Sequence, residues 1–470
     1  MPHNLTPLMG QTQLLLNPYK VGTPVAGTDF YGRSEFLTRV RQALTPSNVV
    51  LTSRLFSPIV HEGGSLALYG ERFMGKSLML SYIAEPPADW QTEYFQHHIF
   101  VCLNCMDVAI PFAPGQFWVE VVKQVDRKLL DRKLAVAAVQ AQCQALLQRA
   151  AAGAELAAYD FQAILDVAGQ AGKRIVLVLD DFDGLIRTDP AHFDRTRGFL
   201  QGLRALTTRN GYRANLVVAT RHSLYELCKP LAVQSASPFD NGFVNYRLQL
   251  FREAELMQLL QRVEQTEQPP FSAMETRYVA YLSGYHPQLA QIAAAEIFDR
   301  RLDQGAPLTD LTAVGEKFKS DARPVFDSLW AGASEIERIL LMLIALRALQ
   351  GKTPTVAYDL SDLSTILSQR ERELVELTQR GLLNRTQANP PQWEIFSPLF
   401  QWWILKEIEC GDPEQLRERR KVWGNLIAQK RADQLGQIVD FLKKNKEAIE
   451  SVGRSILQMA GWQPPKLGGS

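Results

Sequence analysis

The chain has 470 residues and a mass of 52.9 kDa, a length that ordinary domain sizes divide into about three domains. Its 51 Lys+Arg against 50 Asp+Glu leave a net charge of +1, with 46% hydrophobic and 21% charged residues, the usage of a packed soluble protein. Such a balance excludes a global field drawing the molecule to nucleic acid or anionic lipid, though a local basic face stays open, and no apolar run approaches the ~18 residues of a membrane span. Met1-Pro2-His3-Asn4 lacks the basic start and apolar core of a signal peptide, so the expectation is a cytoplasmic protein without membrane contact.

Residues 1–28 are polar and turn-rich, with Asn17-Pro18-Tyr19 and Gly22-Thr23-Pro24, and read as an arm wrapping over the next domain. A helix is expected from about Arg33 to Leu44, then a strand at Leu66-Ala67-Leu68-Tyr69. Gly70-Glu71-Arg72-Phe73-Met74-Gly75-Lys76-Ser77 follows, reading G-x-x-x-x-G-K-S, and Leu78-Met79-Leu80-Ser81-Tyr82 continues as helix. This is a phosphate-binding loop between its proper flanks. Gly70 and Gly75 let the backbone curl so that successive N–H groups and the helix N-terminus face a triphosphate. Lys76 reaches its β and γ oxygens and Ser77 a magnesium ion, and Arg72 offers a second phosphate contact.

Cys102-Leu103-Asn104-Cys105 lies in an alternating run that reads as a strand, so its thiols are expected to be buried sheet residues rather than a zinc or redox pair. The five cysteines form no disulfide framework. Gln116 to Leu147 is helical by periodicity, and the Ala/Gln-rich stretches Ala135 to Gln148 and Ala150 to Ala158, low in complexity, read as solvated or packed helix because alanine is the best helix former. Arg174-Ile175-Val176-Leu177-Val178-Leu179-Asp180-Asp181-Phe182-Asp183 is a continuous apolar run ending in acid, as suits a parallel strand buried on both faces. Ala214 to Arg221 repeats that pattern. Strands alternating with helices predict an α/β fold, a doubly wound parallel-sheet P-loop NTPase domain over residues 29–247, with ligands at the carboxyl ends of the strands. From Leu248 helical patterns take over. They give a helical lid over 248–325, a winged-helix domain of helices and a short hairpin over 326–410, and a modestly basic helical tail over 411–470.

In this arrangement Asp180 holds magnesium through water, and Asp181 orients or deprotonates the attacking water. Asp183 assists or caps the next turn. Thr220 and Arg221, ending the following strand, face the γ-phosphate, whose presence Arg221 can sense. Lys76, Asp181 and Arg221 are the expected catalytic groups.

Asn17-Pro18-Tyr19, Phe30-Tyr31-Gly32-Arg33-Ser34-Glu35, the phosphate loop, the acid-ended strand, Ala219-Thr220-Arg221 and Gly284-Tyr285-His286-Pro287 together resemble the STAND ATPases, signal-transduction relatives of AAA+ proteins, over roughly residues 17 to 405. The resemblance implies that Phe30, Gly32 and Arg33 lie beside the adenine. It implies too that Gly284 and Pro287, with His286 nearby, close the lid over the nucleotide, and that the winged helix holds an ADP-bound resting state. The chain departs from the family in carrying Asp180-Asp181 where Asp-Glu is common, which puts fast hydrolysis in doubt. It carries neither a long repeat array nor a fused effector enzyme.

The leading expectation is an ATP-dependent switch using ATP, ADP and Mg2+, a slow ATPase that self-associates in its ATP state. It would recruit a separately encoded effector through the tail, by an amphipathic helix carrying Ile438, Val439, Phe441, Leu442, Ile449, Val452, Ile456 and Leu457. Packing of that stripe on the chain's own winged helix is the other reading. The alternative function is a DNA-associated AAA+ ATPase of replication or transposition type, with Arg370, Arg372, Arg380 and Arg385 on duplex. Interleaved Glu371, Glu373 and Glu376 speak against it. A third is a nucleotide-binding scaffold without turnover.

Overall fold

The computed structural model describes residues 17–19, 21, 32–33, 36–38, 40, 64–85, 97–108, 113–131, 136–208, 214–234, 238–349, 363–386, 392–410 and 446–458. Five parallel strands, β1 (Ser65–Tyr69), β2 (His98–Asn104), β3 (Arg174–Asp180), β4 (Asn215–Thr220) and β5 (Phe243–Arg247), form one sheet in the order β2-β3-β4-β1-β5. The apolar runs of β1, β3 and β4 occupy its centre, where both faces are covered.

Period-two alternation divides those runs between two cores. Leu66, Leu68, Val176, Val178, Val217 and Ala219 pack against α1 (Lys76–Ala84) and against Phe36, Leu37 and Val40, the described part of the helix expected from Arg33. Ala67, Ile175, Leu177, Leu179, Leu216 and Val218 face the other way, onto α2 (Pro114–Asp131), α3 (Ala137–Ala151), α4 (Ala158–Gln170) and α5 (Phe193–Thr208). The helical pattern expected from Gln116 onward is divided among α2, α3 and α4. The turn after α3 passes through Gly153 at φ 93°, a left-handed conformation that alanine-rich helix cannot continue through. Cys102 sits half-buried on β2 and Cys105 buried just beyond it, both as free thiols.

The rest of the described chain is mostly helical: α6 (Glu253–Leu260), α7 (Ala273–Ser283), α8 (Pro287–Gln304), α9 (Thr312–Asp321), α10 (Arg323–Ala331), α11 (Glu335–Arg347), α12 (Leu363–Gln369), α13 (Glu371–Gln379), α14 (Pro398–Cys410) and α15 (Lys446–Leu457). Between α13 and α14 runs an antiparallel pair, β6 (Leu383–Arg385) with β7 (Trp393–Ile395). Residues from α6 to α15 share one continuous buried core, which runs across the boundary expected at residue 325. A buried ion pair, Arg301 to Glu275 at 2.5 Å, staples α8 to α7.

The described parts of both ends pack on the helical region. Asn17 donates to Ala295 O (3.0 Å) and Asp299 (2.8 Å), and the buried Tyr19 hydroxyl donates to Leu260 O (2.7 Å), so this part of the arm anchors the helical lid and not the sheet domain. Of the tail stripe, Ile438, Val439, Phe441 and Leu442 lie outside the described residues, while Ile449, Val452, Ile456 and Leu457 are buried in the shared core, where α15 packs on α14 and α9. No described helix is long and apolar enough to cross a membrane.

Candidate nucleotide site

β1 delivers the phosphate loop to the carboxyl edge of the sheet. Gly70 sits at φ 155° with its N–H donating to Thr220 O at 3.3 Å, and a Cβ there would lie 3.0 Å from Leu248 O. Phe73 (φ 64°) and Gly75 (φ 87°) are left-handed, which curls the loop, and Gly75 caps α1 without a side-chain acceptor. The loop thus runs into the first-turn N–H groups of α1, which no side chain caps, the arrangement that favours an anion. Lys76 is buried, and its Nζ donates to Gly70 O and Glu71 O, each at 2.8 Å. Burial pulls its pKa below the usual lysine value, against the opposing fields of Asp183, Glu71, Asp180 and Asp181.

The acidic strand end meets this loop. Asp180 closes β3 and accepts a hydrogen bond from the Ser77 hydroxyl; burial raises its pKa, with that hydrogen bond opposing. Asp181 is exposed at φ 47° and donates its N–H to Asp180 Oδ1 at 3.0 Å. A left-handed aspartate costs about 1 kcal/mol, strain of the kind that collects at functional turns. Because β4 lies between β1 and β3, Thr220 and Arg221 fall between the two motifs. The donor set, a hydroxyl beside a carboxylate, suits a hard oxygen-seeking cation, so Ser77 and Asp180 would hold Mg2+. When bound, such an ion neutralises charge on phosphate oxygens.

The other expected residues divide. Thr220 is fully buried and spends its hydroxyl on His222 O at 2.7 Å, so it braces the strand end rather than offering a donor to the crevice. Arg221 points toward the C-terminal domain: its Nη2 is 3.5 Å from Ser328 O and 3.9 Å from Glu71 Oε2. Arg72 is exposed on the loop. Phe30 lies outside the described residues. Gly32 and Arg33, at φ 77° and 61°, fasten to the start of the lid, Arg33 through its N–H to Glu255 (3.0 Å) and its guanidinium to Gln249 O (2.5 Å) and over the Phe251 ring (5.3 Å).

Gly284 ends α7 at φ 54°, and a Cβ there would overlap Phe396 O, so this turn is pressed on the residue after β7. Pro287 starts α8. His286 between them is buried with its ring 6.2 Å from that of Phe396, and burial holds its pKa down at about 3, so the ring is neutral.

Sequence reasoning missed the acid inside the phosphate loop. Glu71 is only 4% exposed and pairs with Arg380, after α13, at 2.5 Å. Arg380 also pairs with Glu337 at 2.8 Å and donates to Gly332 O at 3.1 Å. Beside them Arg247, ending β5, reaches Gln379 (2.8 Å) and Glu376 (3.3 Å). A charged residue in the second position of the loop was the only local hint. Of the arginines offered to DNA, this network commits Arg380 inside the fold, while Arg372 and Arg385 stay exposed, Arg370 pairs with Glu373 at 3.3 Å, and Arg385 lies over Trp393 at 5.5 Å. A surface hollow at the opposite, amino end of the strands, beside Ser65, Arg174 and Asn215, contains none of the motif residues.

Residues 29–219 match the AAA ATPase domain family. No curated protein is significantly similar in sequence. Among solved structures, the chain is similar to the ORC2 protein of Aeropyrum pernix in its ADPNP-ADP complexes, at 14% identity over 88% of this chain and 92% of that one, with a TM-score of 0.45. It is similar also to a Walker-type ATPase of Pyrococcus abyssi (13%, 82% and 99%, TM-score 0.49) and to the RuvB Holliday junction branch migration motor of Thermotoga maritima (16%, 77% and 93%, TM-score 0.33). With its phosphate loop, buried lysine and acid-ended strand in one crevice, the chain carries a nucleotide-binding domain of the AAA ATPase type.

Proposed function

We propose that this protein is an ATP-dependent regulatory switch of the STAND kind, in which nucleotide state sets how the C-terminal domain sits on the nucleotide domain. One observation carries the reading: the phosphate loop itself touches the C-terminal domain, through Glu71 and Arg380, so whatever occupies the loop acts on that contact. We read α11–α13 with β6 and β7 as a winged helix. ADP keeps it docked, and exchange for ATP with Mg2+ at Ser77 and Asp180 releases it and permits self-association. Lys76 and Arg221 bind the phosphates, and Asp181 orients water for slow hydrolysis. The tail, tied to the core by Ile449, Val452, Ile456 and Leu457, passes the change to a separately encoded effector.

Calorimetry and light scattering on the full chain test this. ADP and a non-hydrolysable ATP analogue should both bind, only the analogue should raise the mass of the particle, and Lys76→Ala should weaken the binding and with it the rise in mass. DNA binding at physiological salt that weakens steeply as salt rises would replace the switch with the DNA-associated reading.

A further inference from the structure

The Glu71 cluster is built asymmetrically. Two carboxylates, Glu71 and Glu337, face two guanidiniums, Arg221 and Arg380, at the seam between the domains. Arg380 is gripped: 2.5 Å to Glu71, 2.8 Å to Glu337 and 3.1 Å to Gly332 O. Arg221 is held loosely, at 3.9 Å from Glu71 and 3.5 Å from Ser328 O. Among the described residues nothing hydrogen-bonds its buried Nε, nor Glu71 Oε2, nor the Ser328 hydroxyl. Gly332 seats both arginines. Its carbonyl accepts from Arg380, and a Cβ on it would overlap the Arg221 guanidinium.

We propose that Glu71 is a shared anchor through which Arg221 reports a terminal phosphate to the C-terminal domain: a γ-phosphate draws Arg221 off the cluster, and the docked arrangement, left with an uncompensated buried carboxylate, loses stability. The physical reason is charge balance. With both arginines present the four groups sum to zero. With Arg221 gone, Arg380 alone serves two carboxylates, and one net negative charge stays buried at the seam. A phosphate oxygen is the stronger partner for a guanidinium whose present contacts are near the limit of hydrogen-bond reach. ADP lacks the phosphate that would compete, so docking and ADP coexist while docking and ATP oppose each other. This rests on the reading of Arg221 as a γ-phosphate contact; the positioning role of Glu71 and the seat at Gly332 go beyond it.

By linkage, anything that loosens the cluster must favour ATP over ADP by the same factor that ATP loosens the cluster. Gly332→Ala is the sharpest probe, because φ −79° and ψ −11° suit alanine and the main overlap is with the far end of Arg221, the Ser328 carbonyl lying 3.3 Å away. Dissociation constants for ADP and for a non-hydrolysable ATP analogue, with Mg2+, are measured by calorimetry on the full-length wild type, Gly332→Ala and Arg380→Gln. The expected result is that both variants raise the analogue-to-ADP affinity ratio about fivefold or more. Hydrogen exchange over Glu371–Gln379 in the wild type should be faster with the analogue than with ADP. If Gly332→Ala does not fold, as judged by thermal melting, Arg380→Gln and the wild-type exchange rates decide. Wild type that binds both nucleotides while the folded variants leave the ratio unmoved, or while exchange is the same with either nucleotide, overturns the anchor alone. Wild type that binds neither nucleotide overturns the switch and the anchor with it.

Discussion

The phosphate loop has two flanks built in opposite ways. On the sheet side Ser77 meets Asp180 at the end of an apolar strand, and each half of the contact is announced by its own short motif. On the domain side Glu71 meets Arg380, a residue 309 positions away in an ordinary run of charged helix. The first flank is local chemistry brought together by a sheet register. The second is an ion cluster that exists only because α13 and α11 pack against the nucleotide domain. The half of such a site that local motifs build can be read from sequence, whereas the half that meets another part of the chain is hidden in residues that look like surface.

Breaking the domain-side flank should cost most. Arg380→Ala leaves Glu71 and Glu337 buried without their cation and should destabilise the protein by about 3 kcal/mol in chemical denaturation. The same change at exposed Arg372, on the adjoining helix, should stay within about 0.5 kcal/mol. Equal effects at the two positions would return Arg380 to the surface class where the sequence had placed it. On the sheet-side flank, Lys76→Ala removes the buried ammonium that donates to Gly70 O and Glu71 O and is proposed to bind the phosphates. Nucleotide affinity should fall about 100-fold by calorimetry with the melting temperature little changed.

A third experiment probes the seam from the lid. His286 keeps a pKa near 3 in the fold against an ordinary value of 6.5. As pH falls between those values the unfolded chain takes up a proton that the folded chain refuses, so stability present above the ordinary value is lost on acidification. His286→Phe should remove about 2 kcal/mol of the decline between pH 7 and pH 5. An unchanged slope would show that the ring is solvated. The smallest effect is expected at Asp181, whose φ of 47° a glycine adopts freely. Asp181→Gly should stabilise the fold by about 1 kcal/mol while abolishing any hydrolysis, the mark of a strained functional turn.

Much of the nucleotide domain was legible because its signals are short-range. Continuous apolar runs at β1, β3 and β4 mark strands covered on both faces, and they are the central strands. The order of strands, which sets Thr220 and Arg221 between the loop and the acid, was not legible, since nothing in a strand's own residues names its neighbour. A related limit shows at Thr220: its place at a strand end was legible, but not that its hydroxyl closes on its own turn. The tail stripe was read as a docking face or a packing face, and the described half of it packs. Amphipathic spacing says that one side must be covered and is silent about what covers it.

By itself the sequence determined that a glycine-rich loop would curl at Gly70 and Gly75, that Lys76 and Ser77 would stand at its mouth, and that β3 would end in carboxylates, because these depend on backbone freedom and hydrophobic alternation over a few residues. Only the tertiary structure decided that Glu71 would share Arg221 and Arg380, that Gly332 would seat both, and that Gly284 would yield its space to Phe396. The reason is that ion pairing and close packing depend on distance in space, and the separation of residues along the chain sets no limit on which groups the fold brings within reach.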